Sequence, residues 1–272
     1  VTDSDLDGVV TAAILRRWWT DAEVVFGHPG ELRAGVYDEL IDEWTAICDL
    51  PVHPNCGLSI DHHQSNRPEQ NETRAIVVWK DKPSAARIAF ELFHQIIDLS
   101  DLEGLLEWVD KIDSGSISKE EFLSNDPAIW LSRIVDSEEC TASWILEQLR
   151  VGVSTEEILN DPKISKLVSE KEEELGLLNE IILSTMRVDD RIAIVRFDGS
   201  GIRSNGYYVT AMAGEECDAC IIIHGDLGAS FGDFGRYPVS ASFYTNSFLH
   251  RSGGIFDLTA LATRFDSDGG GH

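Results

Sequence analysis

Basic residues are scarce in this chain: 22 Lys and Arg face 48 Asp and Glu, for a formal net charge of −26. That balance argues against a broad nucleic-acid footprint, which needs a basic stripe. It suits a salt-tolerant proteome, where acidic surfaces keep proteins hydrated. No apolar run approaches the ~18 residues of a membrane span, so neither a transmembrane helix nor a secretory signal is expected. Cysteine is sparse too, with five residues in 272, and that is no disulfide framework. Cys217-Asp218-Ala219-Cys220 has zinc-like spacing. However, Cys48, Cys56 and Cys140 supply no second such pair, and 218–223 reads as a buried strand. Reduced thiols and a cytoplasmic location are the expectation. Disorder is excluded by 43% hydrophobic residues and seven Trp.

Against that background, two clusters of ligand-type residues stand out. Asp3-Ser4-Asp5-Leu6-Asp7-Gly8 alternates three carboxylates, and Asp61-His62-His63 follows the apolar run Leu58-Ser59-Ile60. Alternation points the acids one way in an extended segment, or fans them around a turn. Like charges that close repel unless a cation sits among them. A solvated turn and two core histidines would account for either cluster alone. Together, each after an apolar run, they point to a metal site. Oxygen and imidazole donors without thiolate suit Mn²⁺ or Mg²⁺ over zinc.

The chain is similar to the DHH phosphoesterases, a family that includes RecJ-type exonucleases, nano-RNases, phosphoadenosine phosphatases and cyclic-dinucleotide phosphodiesterases. Asp3 to Gly8 resembles its first motif, Asp49 in Thr45-Ala46-Ile47-Cys48-Asp49 its second, and Asp61-His62-His63 its third. The fourth looks like Asp113 in Asp110-Lys111-Ile112-Asp113-Ser114-Gly115, with Asp110 as rival because both end one apolar helix. Gly269-Gly270-Gly271-His272 resembles the glycine-rich loop of the family's C-terminal substrate domain, DHHA1.

The resemblance implies two divalent ions, Mn²⁺ or Mg²⁺, held by Asp3, Asp5, Asp7, Asp49, His62 and Asp113. His63 would contact the phosphate or support the ligands, and Asp61 would orient its neighbours. Gly269, Gly270, Gly271 and His272 would bind substrate across an interdomain cleft. An Arg expected near Ser242-Phe243-Tyr244 is missing, with Arg203 or Arg251 as substitutes. Asp3, in a slot that is often His, leans toward the nuclease branch.

The pattern of elements is α/β. Val9–Trp19 reads as a helix, 23–26 as a strand and 37–43 as a short helix. Strands are expected at 46–48, 58–60 and 75–79, with a helix over 84–97. Such alternation implies parallel βαβ units with ligands beyond the carboxyl ends of the strands. Residues 101–184 read as helical, with the acid-rich run 170–174 a solvated face. Strands return at 192–197, 207–210, 220–223 and 239–244, before a helix at 257–265.

This gives a parallel-sheet catalytic domain over 1–115, a helical connector over 116–185 and a smaller α/β DHHA1 domain over 186–272. Only Val1 and Thr2 precede the first motif, so trimming at both ends is expected. The resulting expectation is a metal-dependent phosphoesterase acting on a short nucleic acid or nucleotide, of RecJ-like or nano-RNase type. The alternatives are a nucleotide phosphatase, a cyclic-dinucleotide phosphodiesterase, or a non-catalytic scaffold of a replication complex.

Overall fold

A computed structural model describes residues 1–67, 74–135, 137, 140–197, 204–225, 239–250 and 258–265. The chain divides into two compact units, Val1–Ser114 with Glu120–Ser169, and Gly115–Lys119 with Glu170–His272. The helical stretch drawn as a connector over 116–185 is therefore divided, most of it belonging to the first unit.

The first unit opens with helices α1 (Leu6–Trp18) and α2 (Pro29–Arg33). Strands β1 (Ala46–Cys48), β2 (Leu58–Asp61) and β3 (Ile76–Trp79) follow, forming a parallel sheet in the order β1-β2-β3. Thr2 adds a one-residue rung beyond β1, bridging in parallel to both Cys48 and Phe26. The strand expected at 23–26 shrinks to that bridge. Turns replace the expected 37–43 helix. There Asp42 takes hydrogen bonds from the Trp44 amide at 2.9 Å and the Thr45 hydroxyl at 3.1 Å. Such side-chain bonds favour a turn over helical backbone pairing.

Helices α3 (Ala85–Phe93), α4 (Glu103–Asp113), α5 (Lys119–Phe122), α6 (Pro127–Ile134), α7 (Thr141–Arg150) and α8 (Thr155–Asn160) complete most of this unit. Ser84 caps α3, accepting from the Arg87 amide at 3.0 Å. Every residue of α1 from Leu6 to Leu15 is buried, as expected for a helix apolar on nearly all sides. Val9, Val10 and Ile14 pack in one core with Ile60, Ile88 and Leu106. Truncating Ile14 to Ala there costs about 2–5 kcal/mol.

Helix α9 (Pro162–Thr185) puts Ile164 and Leu167 in this core, and Leu178 and Ile182 in that of the second unit. The second unit holds β4 (Arg187–Asp189), β5 (Ile192–Arg196), α10 (Gly206–Ala213), β6 (Ala219–Gly225), β7 (Val239–Thr245) and α11 (Leu258–Phe265). Its sheet order is β4-β5-β6-β7, with only β5-β6 parallel. The strand expected at 207–210 is helix α10. Asn205 caps it, accepting from the Tyr207 amide at 3.1 Å, and this local start overrides the β propensity of Tyr207 to Thr210. Cys217 and Cys220 are buried free thiols, and burial pushes Cys220 up to about 12. Among the described residues no helix is long and apolar enough to cross a membrane.

Candidate metal centre

The sheet places the acids. Thr2, β1 and β2 run in parallel and end at one edge. Asp3 and Asp49 follow Thr2 and β1, Asp61 closes β2, and His62 and His63 come next. Asp49 has a left-handed backbone, φ 57°, which costs roughly 1–3 kcal/mol in a non-glycine residue. Asp5 caps α1, accepting from the Gly8 amide at 2.9 Å. Gly8 is required by close approach, since a Cβ would lie 2.2 Å from the Asp3 carbonyl oxygen. Asp7 is buried in the first turn of α1, and its two oxygens accept the Ala85 and Ala86 amides, each at 2.7 Å. Those amides are the positive end of α3. Asp113 is the last residue of α4.

His62 is where these elements meet. Its Nδ1 lies 3.1 Å from the Lys82 carbonyl, which can only accept, so Nδ1 carries the proton. Nε2 then presents a lone pair 2.9 Å from Asp113 Oδ2, 3.6 Å from Asp49 Oδ1 and 3.7 Å from Asp7 Oδ2. Among the described residues, Nε2, Asp49 Oδ1, Asp113 Oδ2 and Asp61 Oδ2 are all buried without a hydrogen-bond donor. Lone pairs converging on one point require a cation, either a proton or a metal ion. The donor atoms of Asp7, His62 and Asp113 lie within 4.8 Å of one another, as do those of Asp49, Asp61, His62 and His63. Oxygen and imidazole donors at that spacing fit a divalent ion.

Asp61 acts as an organiser. Its Oδ1 accepts the His62 amide at 2.8 Å, the His63 amide at 3.1 Å and His63 Nδ1 at 2.8 Å. The indole of Trp79 donates to the His63 carbonyl at 2.8 Å and anchors the same loop. His28, which sequence reasoning missed, lies with Nδ1 3.6 Å from Asp3 Oδ1. It follows Phe26 at the same sheet edge, so the strand-end rule that agrees with Asp49 also points to it.

The electrostatics follow from this crowding. Burial and the charges of Asp113 and Asp5 hold Asp7 well above the usual carboxylate range. Burial, then Asp7, Asp5, Asp113 and Asp3, do the same for Asp49. Asp5 is pushed up to about 7 by desolvation and by Asp3 and Asp113. Burial pulls His62 down, but Asp113 and Asp7 outweigh it and raise the imidazole to about 9. The site is thus anion-rich and takes up protons when nothing else neutralises it.

Asp7, Asp49, Asp61, His62, His63 and Asp113 supply the two donor groups of the first unit, while Asp3 and Asp5 belong to neither and act on Asp49 through their charge. Asp110 belongs to neither donor group. It accepts from Ser84 Oγ at 2.7 Å and from Arg87 Nε at 2.8 Å. Gly269, Gly270, Gly271, His272, Arg203 and Arg251 lie outside the described residues. Among those described, no cysteine belongs to a candidate metal group.

No family model matches the chain, and no curated protein matches it. Among solved structures, the chain is similar to the pGpG-specific phosphodiesterase PggH from Vibrio cholerae, with a TM-score of 0.77 and 23% identity. The alignment covers 100% of this chain and 89% of that one. An uncharacterized protein from Helicobacter pylori G27 aligns at a TM-score of 0.40 and 14% identity, over 100% and 89% of the two chains, and carries no argument. The chain therefore has the mixed α/β fold of that phosphodiesterase.

Proposed function

We propose that this chain is a divalent-metal-dependent phosphodiesterase that hydrolyses a small nucleotide of about dinucleotide size. The observation that carries the reading is His62 Nε2, buried among Asp7, Asp49 and Asp113 with no donor in reach among the described residues. Asp5, Asp7, Asp49, His62 and Asp113 would hold the metal, with Asp3 at the mouth beside His28. Hard oxygen and imidazole donors favour Mn²⁺ or Mg²⁺, and the two overlapping donor groups sharing His62 favour a pair of ions. Bound there, such ions supply an activated water and neutralise charge on the phosphoryl oxygens.

The side chains do the rest. Asp61 fixes the His63 ring through Nδ1, so His63 can meet the substrate phosphate in a set orientation. The buried carboxylates of Asp7 and Asp49 would hold such ions at the inner wall of the site. Gly269 to His272 of the second unit would hold the nucleotide, with Arg203 as a candidate cation.

Two observations support a dinucleotide over a polymer. The fold likeness is to a protein acting on pGpG, and a chain of net charge −26 offers a long strand little basic track. This moves the reading from a RecJ-type nuclease toward the dinucleotide phosphodiesterases. A scaffold role is disfavoured, because the ligand types converge on one point.

The test is a panel of linear dinucleotides such as pGpG, cyclic dinucleotides, hexanucleotides and phosphoadenosine phosphate, assayed on metal-stripped protein. Turnover should appear only with added Mn²⁺ or Mg²⁺ and be fastest for the dinucleotides. Hydrolysis that survives EDTA would overturn the metal mechanism. Fastest turnover of hexanucleotides would overturn the substrate class.

A further inference from the structure

Asp110 has the chemistry of a metal ligand and stands one turn from Asp113 on α4, yet both its oxygens are already engaged. Oδ1 accepts from Ser84 Oγ at 2.7 Å, and Oδ2 accepts from Arg87 Nε at 2.8 Å, with Arg87 Nη2 on the same oxygen. Ser84 is fully buried and acts twice, donating to Asp110 and accepting the Arg87 amide at 3.0 Å as the cap of α3.

The short segment from Lys82 to Arg87 therefore touches three supports of the candidate centre. The Lys82 carbonyl fixes the His62 ring at 3.1 Å. The Ala85 and Ala86 amides hold the Asp7 carboxylate at 2.7 Å each. Ser84 and Arg87 hold Asp110, and residues three apart on a helix lie on neighbouring positions of one face, so they set the last turn that presents Asp113. His62, Asp7 and Asp113 form one of the two candidate donor groups, and they arise from the end of β2, from α1 and from α4.

From this juxtaposition we propose that Asp110, Ser84 and Arg87 form a brace that positions Asp113 for metal binding, with Asp110 itself outside the ion's coordination shell. The brace is a set of positioning residues. Groups that orient metal ligands commonly carry 10–100-fold of the affinity, so removing one should be visible in metal binding while substrate contacts are untouched. Arginine is suited to this role because its planar fork engages Asp110 through two nitrogens, which a lysine cannot reproduce.

The inference rests on the metal-centre reading above, and its test separates the two. Mn²⁺ binding is measured on the whole chain, without substrate, from the electron paramagnetic resonance signal of free Mn²⁺. The proteins compared are wild type, Arg87→Met, Asp110→Asn and the double variant, with Arg87→Lys as the conservative control. Far-UV circular dichroism checks that each is folded.

Each single variant should weaken Mn²⁺ about tenfold without changing the number of ions bound. Arg87→Lys should fall between Arg87→Met and wild type. Since the two residues act through one contact, the double variant should also lose about tenfold, not about a hundredfold. Loss of a whole ion in Asp110→Asn would make Asp110 a ligand and overturn the brace. So would additive losses in the double variant, or singles that bind like wild type. If wild type itself binds no Mn²⁺, the metal centre falls first and the brace with it.

Discussion

Two Asp–His pairs in this molecule share a 2.9 Å contact. In the second unit His250 Nε2 meets Asp218 Oδ1, and in the first His62 Nε2 meets Asp113 Oδ2. Around Asp218 the charges balance. Arg191 grips both carboxylate oxygens at 2.6 Å, and Arg191 first, then His250, bring Asp218 down to about 2. Around His62 they do not. Three carboxylates face one nitrogen, no guanidinium intervenes among the described residues, and Asp7 and Asp49 are driven upward. Contact distance is therefore not what marks a candidate metal site. An excess of buried acceptors over donors is, and only the first pair has it.

The largest effect expected from this contrast is on catalysis. His62→Ala should lower metal-dependent turnover by about a thousandfold or more, since several kcal/mol of charge stabilisation is lost. Asp218→Asn should leave turnover within about twofold of wild type. Steady-state rates on a dinucleotide decide it, and comparable losses in both variants would erase the distinction.

A smaller effect, of opposite sign, is expected on stability. Asp49→Asn keeps a side chain that tolerates the left-handed backbone but removes a buried negative charge. The metal-free variant should be more stable than metal-free wild type, by a margin that widens as pH rises and the wild-type carboxylate is forced to ionise, while its activity is lost. Asn is the cleaner substitution, because Ala at φ 57° would add backbone strain of its own. Denaturant melts of the two stripped proteins measure this, and a destabilised Asn variant would show that Asp49 is not crowded by like charge.

The smallest effect separates the two pairs by pH. Asp5 is raised from 3.8 to about 7 and His62 from 6.5 to about 9. In both cases the folded site binds more protons than the unfolded chain, so metal-free stability should fall as pH rises from about 4 to about 9. Asp218 is lowered from 3.8 to about 2, so its contribution is present above about 4 and is lost as pH falls toward 2. Saturating Mn²⁺ should flatten the first dependence and leave the second unchanged. Thermal melts across that range, with and without metal, would show whether one slope disappears alone.

Much of the first unit was legible because its signals are local. The apolar periodicity of α1, the strands at 46–48 and 58–60, and the two clusters at Asp3–Asp7 and Asp61–His63 follow from spacing, while Asp49 and Asp113 came from the family resemblance. What sequence left open was tertiary. Asp110 and Asp113 end the same helix and look alike in one dimension, and only the positions of Ser84 and Arg87 show which carboxylate is engaged. His28 follows the strand expected at 23–26, which survives as a single bridge at Phe26, but no motif singled it out. Tyr207 to Thr210 misled because β-branched and aromatic residues favour strands, while the Asn205 cap that starts α10 depends on one hydrogen bond. The likeness of the 2.9 Å pairs could not be read from sequence either, since Arg191 and Asp218 are far apart along the chain.

The central claim, that the His62 cluster is a cation site held by protons until metal arrives, has a direct calorimetric test. Metal-stripped protein is titrated with Mn²⁺ near pH 6.5 in buffers of different ionisation enthalpy, so that protons released on binding are counted. Binding should expel at least one proton, because Asp5 and His62 are raised to about 7 and 9 and lose protons to the incoming charge. His62→Ala should bind far more weakly and release fewer. Tight Mn²⁺ binding without proton release, or equal binding by His62→Ala, would contradict the account.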